Sequence, residues 1–255
     1  MKNTLFKAAI ESGKILKENF EGSFNIESKD VISNLVTEID KKSEKKIIDI
    51  IKSDFPLHNV LSEEVGAIDK DSDVKWIIDP IDGTINYAHA IPLCCISIGI
   101  EEKGEVIMGI VYNPFSGETF YAEKGKGATL NDKKITVSSE NEVSKSLLVT
   151  GFPYSSDKNP TKQLDVFTKI VSSDIPIRRL GSAALDICWT ACGRFDGFWE
   201  YNLNPWDVAG GYIIHEEAGG KLTNFSGKDF NLYGKEILAT NGLIHEQVLE
   251  LIQSV

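Results

Sequence analysis

Apolar residues recur along this 255-residue chain with two periods, and the switches between them mark out its elements. Over residues 4 to 20, Leu5, Ala8, Ala9, Ile15, Leu16 and Phe20 form a helical stripe, with Glu11, Lys14, Lys17 and Glu18 off it. The turn Glu21-Gly22-Ser23 ends it. After the polar piece Glu27-Ser28-Lys29-Asp30, Thr37 with Asp40 three residues on predicts a helix start, and Ile47, Ile48, Ile50 and Ile51 carry that helix toward Pro56. Val60-Leu61 is strand-like, and Asp69 to Asp73 predicts an exposed loop. Trp76, Ile77 and Ile78 read as the end of a buried strand. Pro80 lacks a backbone donor and pushes Asp79 toward an extended conformation, so the strand is expected to stop there. Gly83 permits a tight turn, and Thr84 or Asn86 is expected to cap the helix that follows.

The run from Cys94 to Ile100 suits another buried strand. A turn over Glu101 to Gly104 returns the chain as Val106 to Tyr112, and Phe120 to Ala122 add a third strand between turns at Gly117 and at Gly125-Lys126-Gly127. Such short turns predict antiparallel pairing. From Ser146 the pattern changes: a strand to Thr150, a helix over about Thr161 to Val171, the stretch Ile175 to Leu180, then a helix from Gly181-Ser182-Ala183-Ala184-Leu185 to near Gly193. A strand over Gly197 to Tyr201 and an amphipathic helix beginning near Asp207 follow. The fold class expected is therefore α/β in the broad α+β sense.

Composition narrows the function. A hydrophobic fraction of 42% with 25% charged residues is that of a globular protein. No apolar run reaches the roughly 20 residues that span a bilayer, so no membrane partner is expected. Met1-Lys2-Asn3-Thr4 leads straight into a helix without a signal-peptide core, which predicts a cytoplasmic location. The formal net charge of −11, without a long Lys/Arg run, argues against nucleic acid as the main partner. Cys94, Cys95, Cys188 and Cys192 lie in apolar surroundings without C-x-x-C spacing and are expected to be small buried thiols.

Candidate chemistry concentrates at Asp79-Pro80-Ile81-Asp82-Gly83-Thr84, where two carboxylates stand beside the backbone N–H groups of Gly83 and Thr84. Hard cations take carboxylates, and phosphate takes N–H groups at a helix start. Asp, Pro and Gly are also common turn residues, so this stretch alone reads first as an ordinary turn. Glu63 and Glu64 after Val60-Leu61 read as solvated charges, and Asp207 as a helix cap or a carboxylate facing out of a helix N-terminus. Arg178 and Arg179 are surface residues or an anion site. His89 is read as structural.

Taken in order, Val36-Thr37 with Asp40, Glu63-Glu64, Asp79 to Thr84, Gly181 to Ala184, and Trp206-Asp207 with Glu217-Ala218-Gly219-Gly220 resemble the signature of the inositol monophosphatase family, magnesium-dependent and often lithium-sensitive phosphatases. The resemblance implies a layered αβαβα sandwich, with an antiparallel sheet in a half spanning residues 1–145, an α/β half spanning 146–255, and the site between them. It implies Mg²⁺ held by Glu63, Asp79 and the Ile81 carbonyl, a second ion held by Asp79, Asp82 and Asp207, and a third, weaker ion near Glu63. The attacking water would be oriented by Thr84, the phosphate held by Gly83 and Thr84, and the substrate's hydroxyls met by Ala183 and Glu200. Asp40 would stand in the outer shell. It also implies a homodimer and a small phosphorylated polyol or sugar as substrate, inositol 1-phosphate first, with fructose 1,6-bisphosphate and 3′-phosphoadenosine 5′-phosphate as alternatives. A partner-binding protein on the same fold is the non-enzymatic alternative. Two positions depart from the family pattern: Ser62 stands where Gly is usual, and Ile85 where Thr is.

Overall fold

The computed structural model describes residues 1–20, 22, 26–28, 35–152 and 160–255. Most of the turn expected over Glu21 to Ser23, and Lys29, Asp30 and Asn34, lie outside them. In chain order, helix α1 (Lys2–Asn19) precedes a small antiparallel pair, β1 (Ile26–Ser28) with β2 (Leu35–Thr37), and helix α2 (Glu38–Asp54). α2 begins where expected: the Thr37 hydroxyl accepts from the Asp40 N–H, and the Asp40 carboxylate accepts from the Thr37 N–H at 2.8 Å.

The next strands are β3 (Asn59–Ser62), β4 (Gly66–Ile68), β5 (Val74–Asp82), β6 (Cys95–Glu102), β7 (Glu105–Asn113), β8 (Glu118–Glu123), β9 (Ala128–Leu130) and β10 (Lys133–Lys134), with the short helix α3 (Thr84–Ala88) after β5. They form one sheet in the order β10-β9-β8-β7-β6-β5-β3-β4, antiparallel except for the parallel pair β3 and β5. After β11 (Leu148–Thr150) come α4 (Pro160–Val171), β12 (Ile177–Arg178), α5 (Ala183–Ala191), β13 (Gly197–Tyr201) and α6 (Pro205–Glu217). β14 (Lys221–Thr223), β15 (Glu236–Thr240) and α7 (His245–Gln253) complete the chain; like β4, β9 and β10, they are absent from the pattern reading. The second sheet runs β12-β11-β13-β15-β14, with β11 parallel to both its neighbours.

Among the described residues, four apolar cores lie between five layers. Ile96, Ile98 and Ile100 of β6 pack against Leu5, Ala8 and Ile47 of α1 and α2. Cys95 and Val111, on the opposite face of that sheet, pack against Ala184 and Cys188 of α5 and Ile213 of α6. The same two helices meet Val149, Phe198 and Ala239 of the second sheet, whose outer face carries Trp199 and Leu238 against Ile170 of α4 and Val248 of α7. The layering is α-β-α-β-α, as expected, and the strands buried on both faces explain the unbroken apolar runs of β5 and β6.

Three expectations need correction. β5 continues through Pro80 to Asp82, because its register against β6 slips there: Asp79 pairs with Ser97, but Asp82 pairs with Cys95. One extra residue is thus bulged out, and a bulge tolerates a proline that donates nothing to the ladder. α3 is capped by neither Thr84 nor Asn86; Gly83, at φ 93°, makes the entry in the left-handed region, and a Cβ there would lie 2.9 Å from the Leu93 carbonyl. Finally, α6 is not amphipathic. Val208, Ala209, Gly210, Ile213 and Ile214 are all buried, because the helix lies between two sheets.

Candidate active site

The C-terminal ends of β3 and β5 meet the first turns of α3, α5 and α6, and the acidic residues singled out above gather there. Asp79 is buried at 2% exposure, and its Oδ1 accepts from the Ile81 N–H at 3.0 Å. The Ile81 carbonyl stands 3.0 Å from the Thr84 hydroxyl, which is also 3.2 Å from Asp40 Oδ1. Asp40 has partners at both carboxylate oxygens. One oxygen closes the start of α2, and the other reaches Thr84. Ser43, one turn further along α2, donates to the Pro80 carbonyl at 2.9 Å.

Asp82 sits on the first turn of α5. Its Oδ2 accepts from the Ser182 hydroxyl at 2.6 Å and the Ala184 N–H at 2.8 Å, and its Oδ1 from the Ala183 N–H at 3.3 Å. The Cys95 thiol lies 3.7 Å from Oδ2. Burial pushes the Asp82 carboxyl up to about 6, while these hydrogen bonds pull it down. Ala183 is thus brought to the site, with its N–H turned to Asp82. Asp207 is the third residue of α6, and its Oδ2 accepts from the Asn204 N–H at 2.6 Å. Burial raises its carboxyl to about 8, against that hydrogen bond, and the charges of Glu63 and Asp82 add to the rise. Asp79 is pushed well above the usual range by burial and then by Glu63, Asp82, Asp207 and Asp40.

Glu63 follows β3, and its N–H donates to the Ile78 carbonyl at 3.3 Å, next to Asp79. Glu200 on β13 is buried, its carboxyl raised by burial and by Asp207 and Asp82 and lowered by Arg179. A Cβ at Gly151 would overlap that carboxylate, so the glycine makes its room. Arg179 therefore acts electrostatically on the site, whereas the guanidinium of exposed Arg178 folds back to the Ile177 carbonyl at 3.0 Å. His89 is exposed at the end of α3 and takes no part.

Four residues here escaped the sequence reading. Ser182 and Cys95 contact Asp82, Glu44 holds the turn carrying Glu63, and Asp186, at 1% exposure, has neither carboxylate oxygen hydrogen-bonded among the described residues. Burial and Glu200 raise the Asp186 carboxyl strongly. Its place on the same face of α5 as Ser182, four residues away, was the available signal. The thiols are free and, except for half-buried Cys192, buried as expected.

Carboxylates and a backbone carbonyl are the donors of a hard divalent cation, and the mutual repulsion of Glu63, Asp79, Asp82 and Asp207 is what such a cation relieves. The donor set fits Mg²⁺ in kind. As the side chains stand, no three Asp, Glu, His or Cys groups among the described residues are arranged to hold an ion.

This fold and site define a class: a layered α/β protein with an all-oxygen acidic centre at the meeting of strand ends and helix N-termini. The chain belongs to the inositol monophosphatase family, whose model matches residues 1–255. It is 38% identical over 255 residues to the Nus factor SuhB of Haemophilus influenzae, covering 99% of this chain and 96% of that protein. To the inositol-1-monophosphatase of Synechocystis it is 42% identical over 228 residues, covering 89% of this chain and 79% of that one. The crystal structure of the extragenic suppressor protein SuhB from Bartonella henselae superposes with a TM-score of 0.94 at 33% identity, over 99% of this chain and 98% of that one. No described helix is long and apolar enough to cross a membrane.

Proposed function

We propose that this protein hydrolyses a small phosphate monoester, inositol 1-phosphate first among the candidates, using Mg²⁺ held by Glu63, Asp79, the Ile81 carbonyl, Asp82 and Asp207. The observation that carries this reading is the gathering of four carboxylates from β5, α6 and the turn after β3, in a chain of this family. Bound at these residues, Mg²⁺ would acidify a water and neutralise charge on the phosphoryl and leaving oxygens. Thr84 has its hydroxyl proton engaged by the Ile81 carbonyl and Asp40, so its oxygen is turned to accept a hydrogen bond from the attacking water. The N–H groups of Gly83 and Thr84 hold the phosphate. Glu200, buried beside Gly151, accepts from substrate hydroxyls, and Ala183 offers a small side chain that leaves space for the ring. The protein works in the cytoplasm as a homodimer in this reading.

The test is phosphate release from inositol 1-phosphate, fructose 1,6-bisphosphate and 3′-phosphoadenosine 5′-phosphate, with Mg²⁺ present or chelated. Turnover that requires Mg²⁺ and falls at least about 100-fold in Asp207→Asn is expected. A second reading follows from the name Nus factor carried by the Haemophilus relative. In that reading the fold would serve a partner surface, and Asp207→Asn would abolish turnover while leaving the cellular role intact.

A further inference from the structure

The turn that presents Glu63 is fastened by a carboxylate from another layer. Glu44 of α2 is 2% exposed, and its Oε1 accepts from the Ser62 hydroxyl, from the Glu64 N–H at 3.0 Å and from the Val65 N–H at 3.1 Å. These three donors flank Glu63 on both sides, so a single buried oxygen fixes the backbone before and after it. Glu63's own N–H is pinned to Ile78 of β5. Rotation of the turn would break the hydrogen bonds of a buried carboxylate, a costly event in a low-dielectric setting.

Glu44 does not act alone on its helix. Asp40, Ser43 and Glu44 are spaced three and four residues apart, hence on one face of α2, and all three are buried. Each holds a different part of the site: Asp40 the Thr84 hydroxyl, Ser43 the Pro80 carbonyl, and Glu44 the Glu63 turn. The first two turns of α2 thus act as a template beneath the strand ends. Ser62 contributes the one side-chain donor of the three, its hydroxyl to Glu44.

We infer that Glu44 is a positioning residue, with Ser62 as its side-chain partner, that sets Glu63 for divalent-cation binding. This rests on the reading of Glu63 as a ligand. The test is calorimetric titration with Mn²⁺ of the wild type and the Glu44→Ala, Glu44→Gln, Ser62→Ala and Glu63→Gln variants. Melting temperatures with and without the cation, and kcat at saturating Mn²⁺ with inositol 1-phosphate, accompany it. Glu44→Ala is expected to weaken cation affinity by about 10- to 100-fold, the usual effect of removing a group that orients a ligand. Its kcat at saturating cation should fall far less, and Glu44→Gln, which keeps an acceptor oxygen, should recover most of the affinity. Ser62→Ala removes one donor of three and should weaken binding about threefold in a protein that still folds. A merely structural Glu44 would instead lower the melting temperature and leave the cation's added stabilisation unchanged.

Wild-type affinity in Glu44→Ala and Ser62→Ala, with binding still lost in Glu63→Gln, overturns the role of Glu44 and leaves the site reading standing. Should Glu44→Ala not fold, Ser62→Ala and Glu44→Gln decide by the same criterion. Failure of the wild type to bind Mn²⁺ overturns the site reading, and the role of Glu44 with it.

Discussion

Asp82 shows how much one side chain carries here. It has three close donors, all from Ser182 to Ala184, a hundred residues further along the chain. Truncation would strand those donors in a buried place and leave the first turn of α5 uncapped. Asp82→Ala is therefore expected to lose about 2–4 kcal/mol of stability, read by urea unfolding, with Asp82→Asn losing less because it keeps an acceptor. Asp79, Asp82 and Asp207 were legible as residue types at meaningful spacings. Ser182, Glu44 and Asp186 were not, because a serine, a glutamate on a helix and an aspartate one turn into a helix carry no local mark of the carboxylates or backbone they meet in the fold.

Among the elements, α6 decides how the layers close. Gly210 lies against the first sheet so closely that a Cβ would stand 2.6 Å from Ser97 Oγ and 2.9 Å from the Ile110 carbonyl. Backbone cannot yield as a flexible side chain can, so Gly210→Ala should push the helix outward. The expected cost is about 1–3 kcal/mol by denaturant unfolding, together with a fall in phosphatase activity, because Asp207 moves with the helix. Nothing in the residues around Gly210 says which surface the helix meets there. Likewise, β5 was legible as a buried strand, but its passage through Pro80 depends on the extra residue accommodated opposite β6.

Across the whole molecule, two helices are tied to the second sheet through buried histidines, α6 by His215 and α7 by His245. His215 Nε2 is 2.9 Å from the Thr240 carbonyl, and His245 lies between the Thr223 and Thr240 hydroxyls, 2.9 Å from each. Burial pushes both rings down to about 4. The unfolded chain therefore binds protons at pH values where the folded one does not, and stability is lost as pH falls from about 6.5 toward 4. Raised carboxylates such as Asp79 act in the opposite sense, so the histidine effect is best read as a difference. The stability gap between wild type and His215→Leu, from urea unfolding, should narrow by about 3 kcal/mol between pH 7 and pH 4. An unchanged gap would mean that His215 does not stay neutral in the fold.

The sequence by itself determined the local features: the two N-terminal helices with the Thr37 and Asp40 start, the apolar runs of β5 to β8, and the acidic motifs in their order. Periodicity and capping act over a few residues, so they are written where they act. Tertiary structure alone decided that α6 is packed between two sheets, that Asp82 caps α5, and that Glu44 supports the turn of Glu63. Those contacts join residues 18 to 102 positions apart. Their geometry depends on how sheets and helices stack, which no short stretch of sequence contains.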